Sequence, residues 1–177
     1  MYLIKKCAIS GKETKVDDDV VIFPYFDSNP GEPEFICCEN IALRSEFERW
    51  YLKESVITKV RDFWVQRFHE KSFLLILAEN ENFLIVKSMI EKGVSLFFLN
   101  HVFSVDFRGD AWEKFAALIP TAEKSSINIS EKYSLSWNMD TPKANMILQI
   151  RSIRKDTIVI PIDEWIKLQE LLSTSIS

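Results

Sequence analysis

Cysteine and histidine are the side chains in this sequence that could hold a metal ion, and they are few. Three cysteines occur in 177 residues, at Cys7, Cys37 and Cys38, with two histidines at His69 and His101. Structural zinc takes four sulfur or nitrogen ligands in a tetrahedron. Adjacent cysteines rarely bind one ion together, and neither histidine lies near a cysteine in the sequence. The spacing therefore predicts no bound metal.

The sequence around the cysteines resembles a treble-clef zinc module in degenerate form, over residues 1–70. Residues 7–12 correspond to the knuckle that precedes a hairpin, and residues 35–40 to the second ligand pair, which opens a helix. In that family a second knuckle cysteine stands where this chain has Ser10. The resemblance implies a module without zinc, in which apolar packing or a capping hydrogen bond replaces the metal. Its vestigial ligands would be Cys7, Cys37 and Cys38.

No catalytic motif accompanies these residues. The sequence lacks a nucleophile elbow, a metalloprotease helix, a phosphate loop and a dinucleotide fingerprint. His101 could act as a general base, since histidine titrates near neutral pH, but a loop position between two apolar strands explains it more simply. Residues 17–19 are all aspartate and lack the alternation of a calcium loop, which predicts a solvated turn. We predict no catalytic residue and no cofactor, and regard an enzymatic role as the weaker alternative.

The composition is that of a globular protein. Apolar residues make up 47%, charged residues 27%, and the net charge is −4, which excludes a disordered chain and an overall basic field for duplex DNA or anionic membranes. The longest apolar run covers residues 73–78, far short of the roughly 20 residues of a membrane span. The odd cysteine count and the absence of a secretory signal predict a cytoplasmic protein without a membrane partner.

Residues 1–38 predict strands and turns, and the segment from residue 40 to residue 68 predicts helix. Two short apolar runs, 20–23 and 35–38, flank a loop rich in proline and glycine, which favours a hairpin. The later segment has no proline or glycine, and its apolar residues recur at steps of three and four. It predicts one long helix, or two helices divided near Ser55. Asn40 is the expected N-cap, and Arg44 with Glu48 the expected surface pair.

The remainder of the chain predicts an α+β fold with two tandem antiparallel ββββα units, residues 71–122 and 123–177. Each unit has four short apolar runs of strand type followed by one amphipathic helix. In the first unit the runs are 73–77, 83–89, 94–99 and 102–107, with a helix at 110–119; in the second they are 127–129, 133–137, 146–151 and 157–160, with a helix at 163–172.

The two helix starts align without a gap, which predicts an internal repeat. Asp110 lies over Asp163, Trp112 lies over Trp165, and a lysine follows each tryptophan by two residues. An aspartate at this position is expected to cap the helix and to interact with the positive end of its dipole. The tryptophan is expected to pack on the sheet. Because one helix covers one face of each sheet, two units together would leave a sheet face for a partner.

The order of elements and the second unit's residues resemble the single-stranded nucleic-acid-binding fold of the transcriptional positive cofactors and the plant Whirly proteins. The resemblance covers residues 73–177 and rests on apolar alternation plus a helix that begins at Asp163-Glu164-Trp165. It implies a sheet surface with basic residues for phosphates and aromatic residues for bases. The candidates for nucleic-acid binding are Lys132, Trp137, Lys143, Arg151, Arg154 and Lys155.

Two functions remain open from the sequence. Residues 128–160 hold five basic and three acidic residues, a mild local bias that favours single-stranded DNA or RNA. An ordinary solvated strand face explains the same bias, and Trp137 also suits a core position. The alternative is a protein–protein interaction module, such as an adaptor or an antitoxin-like immunity protein, since the chain is acidic, contains five tryptophans and thirteen phenylalanines, and aromatic residues dominate protein interfaces. The oligomeric state stays open.

Overall fold

The chain folds into two four-stranded antiparallel sheets, preceded by a two-stranded sheet and a long helix, as a computed structural model shows. The structure describes residues 5–15, 17–91, 93–118, 126–129, 133–138, 145–151 and 155–175. The strands are β1 (Val20–Ile22), β2 (Ile41–Leu43), β3 (Leu74–Glu79), β4 (Phe83–Ser88), β5 (Val94–Phe98), β6 (Phe103–Phe107), β7 (Ser126–Asn128), β8 (Tyr133–Asn138), β9 (Asn145–Arg151) and β10 (Lys155–Pro161). The helices are α1 (Arg44–Phe47), α2 (Lys53–His69), α3 (Ala111–Ala116) and α4 (Ile162–Ser175).

Both units have the ββββα order that the sequence predicts, and the α+β fold class is confirmed. The first sheet has the order β3-β4-β5-β6 and the second the order β10-β9-β8-β7, with antiparallel pairing throughout. Strand alternation explains the arrangement, because successive side chains point to opposite faces. In β6, for example, Phe103, Val105 and Phe107 are buried while Ser104 and Asp106 are exposed.

The two units share one hydrophobic core, which lies between the inner faces of the two sheets and includes α3 and α4. Phe115 of α3 is fully buried and makes an edge-to-face contact with Trp165 of α4, with 5.7 Å between ring centroids. Trp165 is buried, and the partly buried Trp112 packs against the same core. The predicted packing of both tryptophans is therefore present, and α3 and α4 join the units.

The N-terminal region covers the outer face of the first sheet. A second core combines side chains of β4 and β5 with one face of α2. The ring of Phe97 lies 5.0 Å from that of Trp64 and 4.7 Å from that of Phe68. The apolar stripe of α2 predicted from the sequence is thus the stripe that packs on this sheet.

Two local predictions in the N-terminal region are wrong. The apolar run at residues 35–38, expected as the second strand of the hairpin, lies largely in a 3-10 helix, Pro33–Cys37. The strand that pairs with β1 is instead β2, which begins at Ile41, six residues after Phe35. Asn40 does not cap a helix; its side chain bonds the N–H of Ile41 and the carbonyl of Ile36. A proline at the start of the run favours a helical turn over a strand, which explains the first error.

Two charged residues also have other partners than predicted. Arg44 pairs with Asp19 across the two-stranded sheet, with Nε 2.9 Å from the carboxylate, whereas Glu48 pairs with Lys53. Asp110 makes no side-chain cap for α3, and its carboxylate pairs with Lys114 at 2.7 Å.

The division of the helical segment falls at residues 48–52 rather than at Ser55.

No helix in the described part of the chain is long and apolar enough to cross a membrane.

Candidate nucleic-acid interface

No element among the described residues packs its apolar side chains on the outer face of the second sheet. In the ranges that the structure describes, neither hydrophobic core includes a side chain from this face. Ser126, Asn128 and Val159 are exposed, and Ser134 and Ser136 are half-buried. The corresponding face of the first sheet has buried apolar residues under α2. The two sheets therefore differ in what lies on their outer faces.

Strand register places two of the predicted residues on this outer face. Arg151 of β9 and Lys155 of β10 are register partners. Along β10, Lys155 lies four residues from the exposed Val159, and along β9, Arg151 lies an odd number of residues from the buried Met146 and Leu148. The register from Lys155 to Pro161 is uninterrupted. The face combines these basic positions with serine, asparagine, glutamine and threonine positions, and no acidic residue occupies a described position on it.

Trp137 does not belong to this face. Its side chain is 6% exposed and lies in the shared core, in register with the fully buried Met146. Its indole is consequently not available for stacking on a base, and the core position considered for it from the sequence is the one found. Of the other predicted residues, Lys132, Lys143 and Arg154 lie outside the described residues.

Cys7 opens a tight turn that precedes the two-stranded sheet. The N–H of Gly11 donates to the Cys7 carbonyl at 2.8 Å, and Gly11 has φ +70°, a conformation that glycine adopts without strain. The N–H of Leu43 donates to the Cys7 sulfur at 3.4 Å. Burial acts to raise the pKa of the Cys7 thiol, but hydrogen bonds from Ser10, from Leu43 and from Ile9 outweigh it and lower that pKa.

Cys37 lies in a different electrostatic environment. Burial, and the neighbouring Cys7 and Glu34, raise the pKa of Cys37 to about 12, so its thiol stays protonated. The Cys38 thiol donates to the carbonyl of Phe26 at 3.5 Å. Within the described residues no group of three cysteine, histidine or acidic side chains could hold a metal ion. The absence of bound zinc stays a prediction.

Both histidines form pairs with glutamates. His69 Nε2 lies 2.9 Å from Glu79 of β3, and His101 Nε2 lies 2.8 Å from Glu164 of α4. The second pair joins the loop after β5 to the second unit, across the boundary between the units. Lys167 and Glu81 make a further contact across the same boundary at 3.4 Å. The position of His101 matches the loop position predicted for it, and the pair gives it a role in joining the units.

A group of exposed apolar side chains lies where β3 begins and β4 ends. Phe73 and Leu75 are half exposed, and Met89 and Ile90 are more exposed. The N–H of Met89 donates to the carbonyl of Phe73 at 3.1 Å, which brings the two ends together. We call these four residues the apolar patch. Sequence reasoning missed it, although two of its members end one predicted strand and lead into the next turn.

Comparison of the chain with protein-family models, with curated proteins and with solved structures finds no match.

Proposed function

We propose that this chain is a non-catalytic single-stranded nucleic-acid-binding protein that uses the outer face of its second sheet. The observation that carries the proposal is an uncovered, polar sheet face whose described positions include Arg151 and Lys155 and no carboxylate. Arginine, lysine, hydroxyl and amide groups are the usual partners of phosphate and sugar oxygens. In a chain with net charge −4, a face without acidic residues is the surface where an anionic strand meets least repulsion.

The buried position of Trp137 defines the kind of binding. Bound bases normally stack on aromatic side chains, and Trp137 lies in the core. Contacts would therefore go to the phosphate and sugar backbone, with little preference for sequence and a strong dependence on salt. Residues 71–122 and 123–177 have the same order of elements, which supports the interpretation of the two units as an internal repeat. The proposed binding face belongs to the second unit.

Fluorescence anisotropy of a labelled oligothymidylate tests the proposal. We expect binding at low salt that weakens in the double variant Arg151→Gln/Lys155→Gln. Each lost phosphate contact reduces the slope of log K against log salt by about 0.7, so the variant's slope is expected to fall by about 1.4. A matched control with the same charge change, Lys87→Gln/Arg108→Gln, alters exposed residues of the first unit and should retain most of the affinity.

Two results would contradict the proposal. One is the absence of binding at low salt with protein on the order of 100 µM, the weak end of non-specific affinities. The other is equal loss of affinity in both double variants, which would show a dependence on net charge alone rather than on this face.

The apolar patch favours a second candidate function, a protein–protein interaction module. Contiguous exposed apolar side chains often mark protein interfaces. If this function holds, a partner that copurifies with the wild type is lost in the variant Met89→Asp/Ile90→Asp. Tyr51→Asp is the control, since Tyr51 is 83% exposed and lies on another element. Retention of the partner by the patch variant would exclude the patch as its binding site.

A further inference from the structure

The outward positions of the second sheet fall into rows that run across its strands. Residues that are register partners on neighbouring strands lie side by side, and residues two apart on one strand share a face at a separation of about 7 Å. The register of β7 to β10 gives three such rows in succession. The residue types change from each row to the next, and their order indicates which polymer the face fits.

The first row is basic and the second is uncharged and polar. Arg151 and Lys155 are register partners and form the first row. Two residues further along β9 and β10, the second row crosses all four strands at positions that carry a hydroxyl or an amide, namely Thr157, Gln149, Ser134 and Asn128. Ser134 is half-buried and Asn128 is exposed. We call these four positions the polar row.

The third row combines serine with aliphatic residues. It crosses the same four strands two residues beyond the polar row, at Val159, Ile147, Ser136 and Ser126. Val159 is exposed and Ile147 is half-buried. Aliphatic side chains of this kind offer van der Waals contact to the face of any base. The third row therefore suits bases without selecting a sequence.

A nucleotide presents its chemical groups in the same order as the three rows. When its phosphate lies on the basic row, its sugar meets the polar row and its base reaches the third row. Hydroxyl and amide side chains also contact phosphates in many complexes, but here the neighbouring basic row serves that purpose. Serine, threonine, asparagine and glutamine can both donate and accept hydrogen bonds. The 2′-hydroxyl that distinguishes ribose from deoxyribose has the same capacity.

We propose that the outer face of the second sheet binds single-stranded RNA in preference to single-stranded DNA, with the ribose 2′-hydroxyls on the polar row. The RNA strand runs along the rows, across the β-strands. Deoxyribose lacks the group that the polar row recognises, so DNA binds the same face through its phosphates with fewer contacts. This inference rests on the proposed function, because it names the polymer that the same face prefers.

Fluorescence anisotropy with three labelled oligonucleotides of equal length tests the preference on the wild type. They are oligouridylate, oligodeoxyuridylate and 2′-fluoro-oligouridylate, which differ only at the 2′ position. We expect the ribose form to bind roughly tenfold more tightly than the deoxyribose form, the effect of one or two net hydrogen bonds. The 2′-fluoro form keeps the ring pucker of ribose but has no hydroxyl to donate, so it should bind as the deoxyribose form does.

The double variant Ser134→Ala/Thr157→Val removes two hydroxyls of the polar row without a change of charge. It should reduce the preference for ribose to about threefold or less and leave the affinity for the deoxyribose form unchanged. The salt dependence of both should also stay unchanged, because hydroxyls release no counterions. Ser104→Ala/Thr58→Val is the matched control, since it makes the same two substitutions at exposed residues of β6 and α2 and should keep the full preference.

The outcomes separate this inference from the proposed function. Equal binding of the ribose and deoxyribose forms by the wild type overturns the RNA preference and leaves the proposed function standing. Binding of the 2′-fluoro form as tight as that of the ribose form also overturns it, because ring pucker would then be what is recognised. Equal loss of the preference in the row variant and its control overturns the assignment to the polar row. Absence of binding for all three oligonucleotides contradicts the proposed function, and this inference with it.

Discussion

Glu32 illustrates how single side chains join the N-terminal loop to α2. Its carboxylate accepts hydrogen bonds from Lys59 of α2 and from the neighbouring Asn29 and Ser28. These donors lower the pKa of Glu32 from its usual 4.5 to about 2, and the Lys59 ammonium has the largest effect. Because the folded-state pKa is lowered, the pair stabilises the fold above pH 4.5, and that stabilisation is lost as the pH falls from 4.5 toward 2.

We expect the Lys59→Met variant to raise the pKa of Glu32 toward its usual value, since the largest cause of the shift is removed. Carboxyl carbon chemical shifts followed by NMR against pH measure this midpoint. Lys53→Met is the control, because Lys53 pairs with Glu48 instead and its loss should leave the midpoint of Glu32 unchanged. A midpoint near 4.5 in the wild type would show that the pair does not hold in solution.

Some single residues of the candidate site could be predicted from the sequence. Local basic bias was enough to propose Arg151 and Lys155, and strand register assigns both positions to the outer face of the second sheet. Trp137 could have been excluded by the same alternation, because it shares a face with the apolar Leu135 and alternates with Ser134 and Ser136. The pairing of Arg44 with Asp19 could not be predicted, because it joins residues 25 positions apart and depends on how β1 meets β2.

Among the elements, the ββββα units and α2 were predictable from the sequence, whereas the 3-10 helix and the partner of β1 were not. Alternation over four runs, with a proline or glycine in some of the connections, specifies each unit locally. The run from Phe35 to Cys38 is apolar and short, and such runs suit a strand or a helical turn equally well. Its position was decided by the pairing of β1 with β2 and by burial of Cys37 in the second core. Contacts between distant segments of this kind leave no periodic signal.

The turn that leads from the 3-10 helix into β2 contains a strained residue. Glu39 has φ +52°, and a left-handed conformation costs an L-residue roughly 1–2 kcal/mol. We expect Glu39→Gly to stabilise the protein by about 0.5–1 kcal/mol, after the greater loss of chain entropy for glycine is subtracted. Urea unfolding measures the change.

Glu39→Ala separates the backbone effect from the loss of the side chain. This variant keeps the left-handed strain, so its free energy of unfolding should stay within about 0.5 kcal/mol of the wild type. Equal stabilisation by alanine and glycine would show that removal of the carboxylate, rather than relief of strain, is responsible.

For the whole molecule, the shared core makes the two units depend on each other. Phe115 is fully buried and contacts Phe107 of its own unit and Trp165 of the other. Phe115→Ala should lower the free energy of unfolding by about 3–5 kcal/mol. Because the core is continuous, both units should still unfold in one transition, which tryptophan fluorescence and circular dichroism can follow together.

Ile166 provides the comparison for that variant. It lies beside Trp165 on α4 but is 53% exposed, so Ile166→Ala should change stability by no more than about 0.5 kcal/mol. Two separate transitions in the wild type, or a cost below about 1 kcal/mol for Phe115→Ala, would contradict a common core.

The unequal covering of the two sheets also limits how copies of this molecule can assemble. The outer face of the first sheet is covered by α2, and within the described residues the outer face of the second sheet has no such cover. If two copies associate through this face on both, the contact is isologous and gives a closed two-fold pair. Stacking through the sheets into a fibre would require a second such side, and α2 occupies the place where it would be.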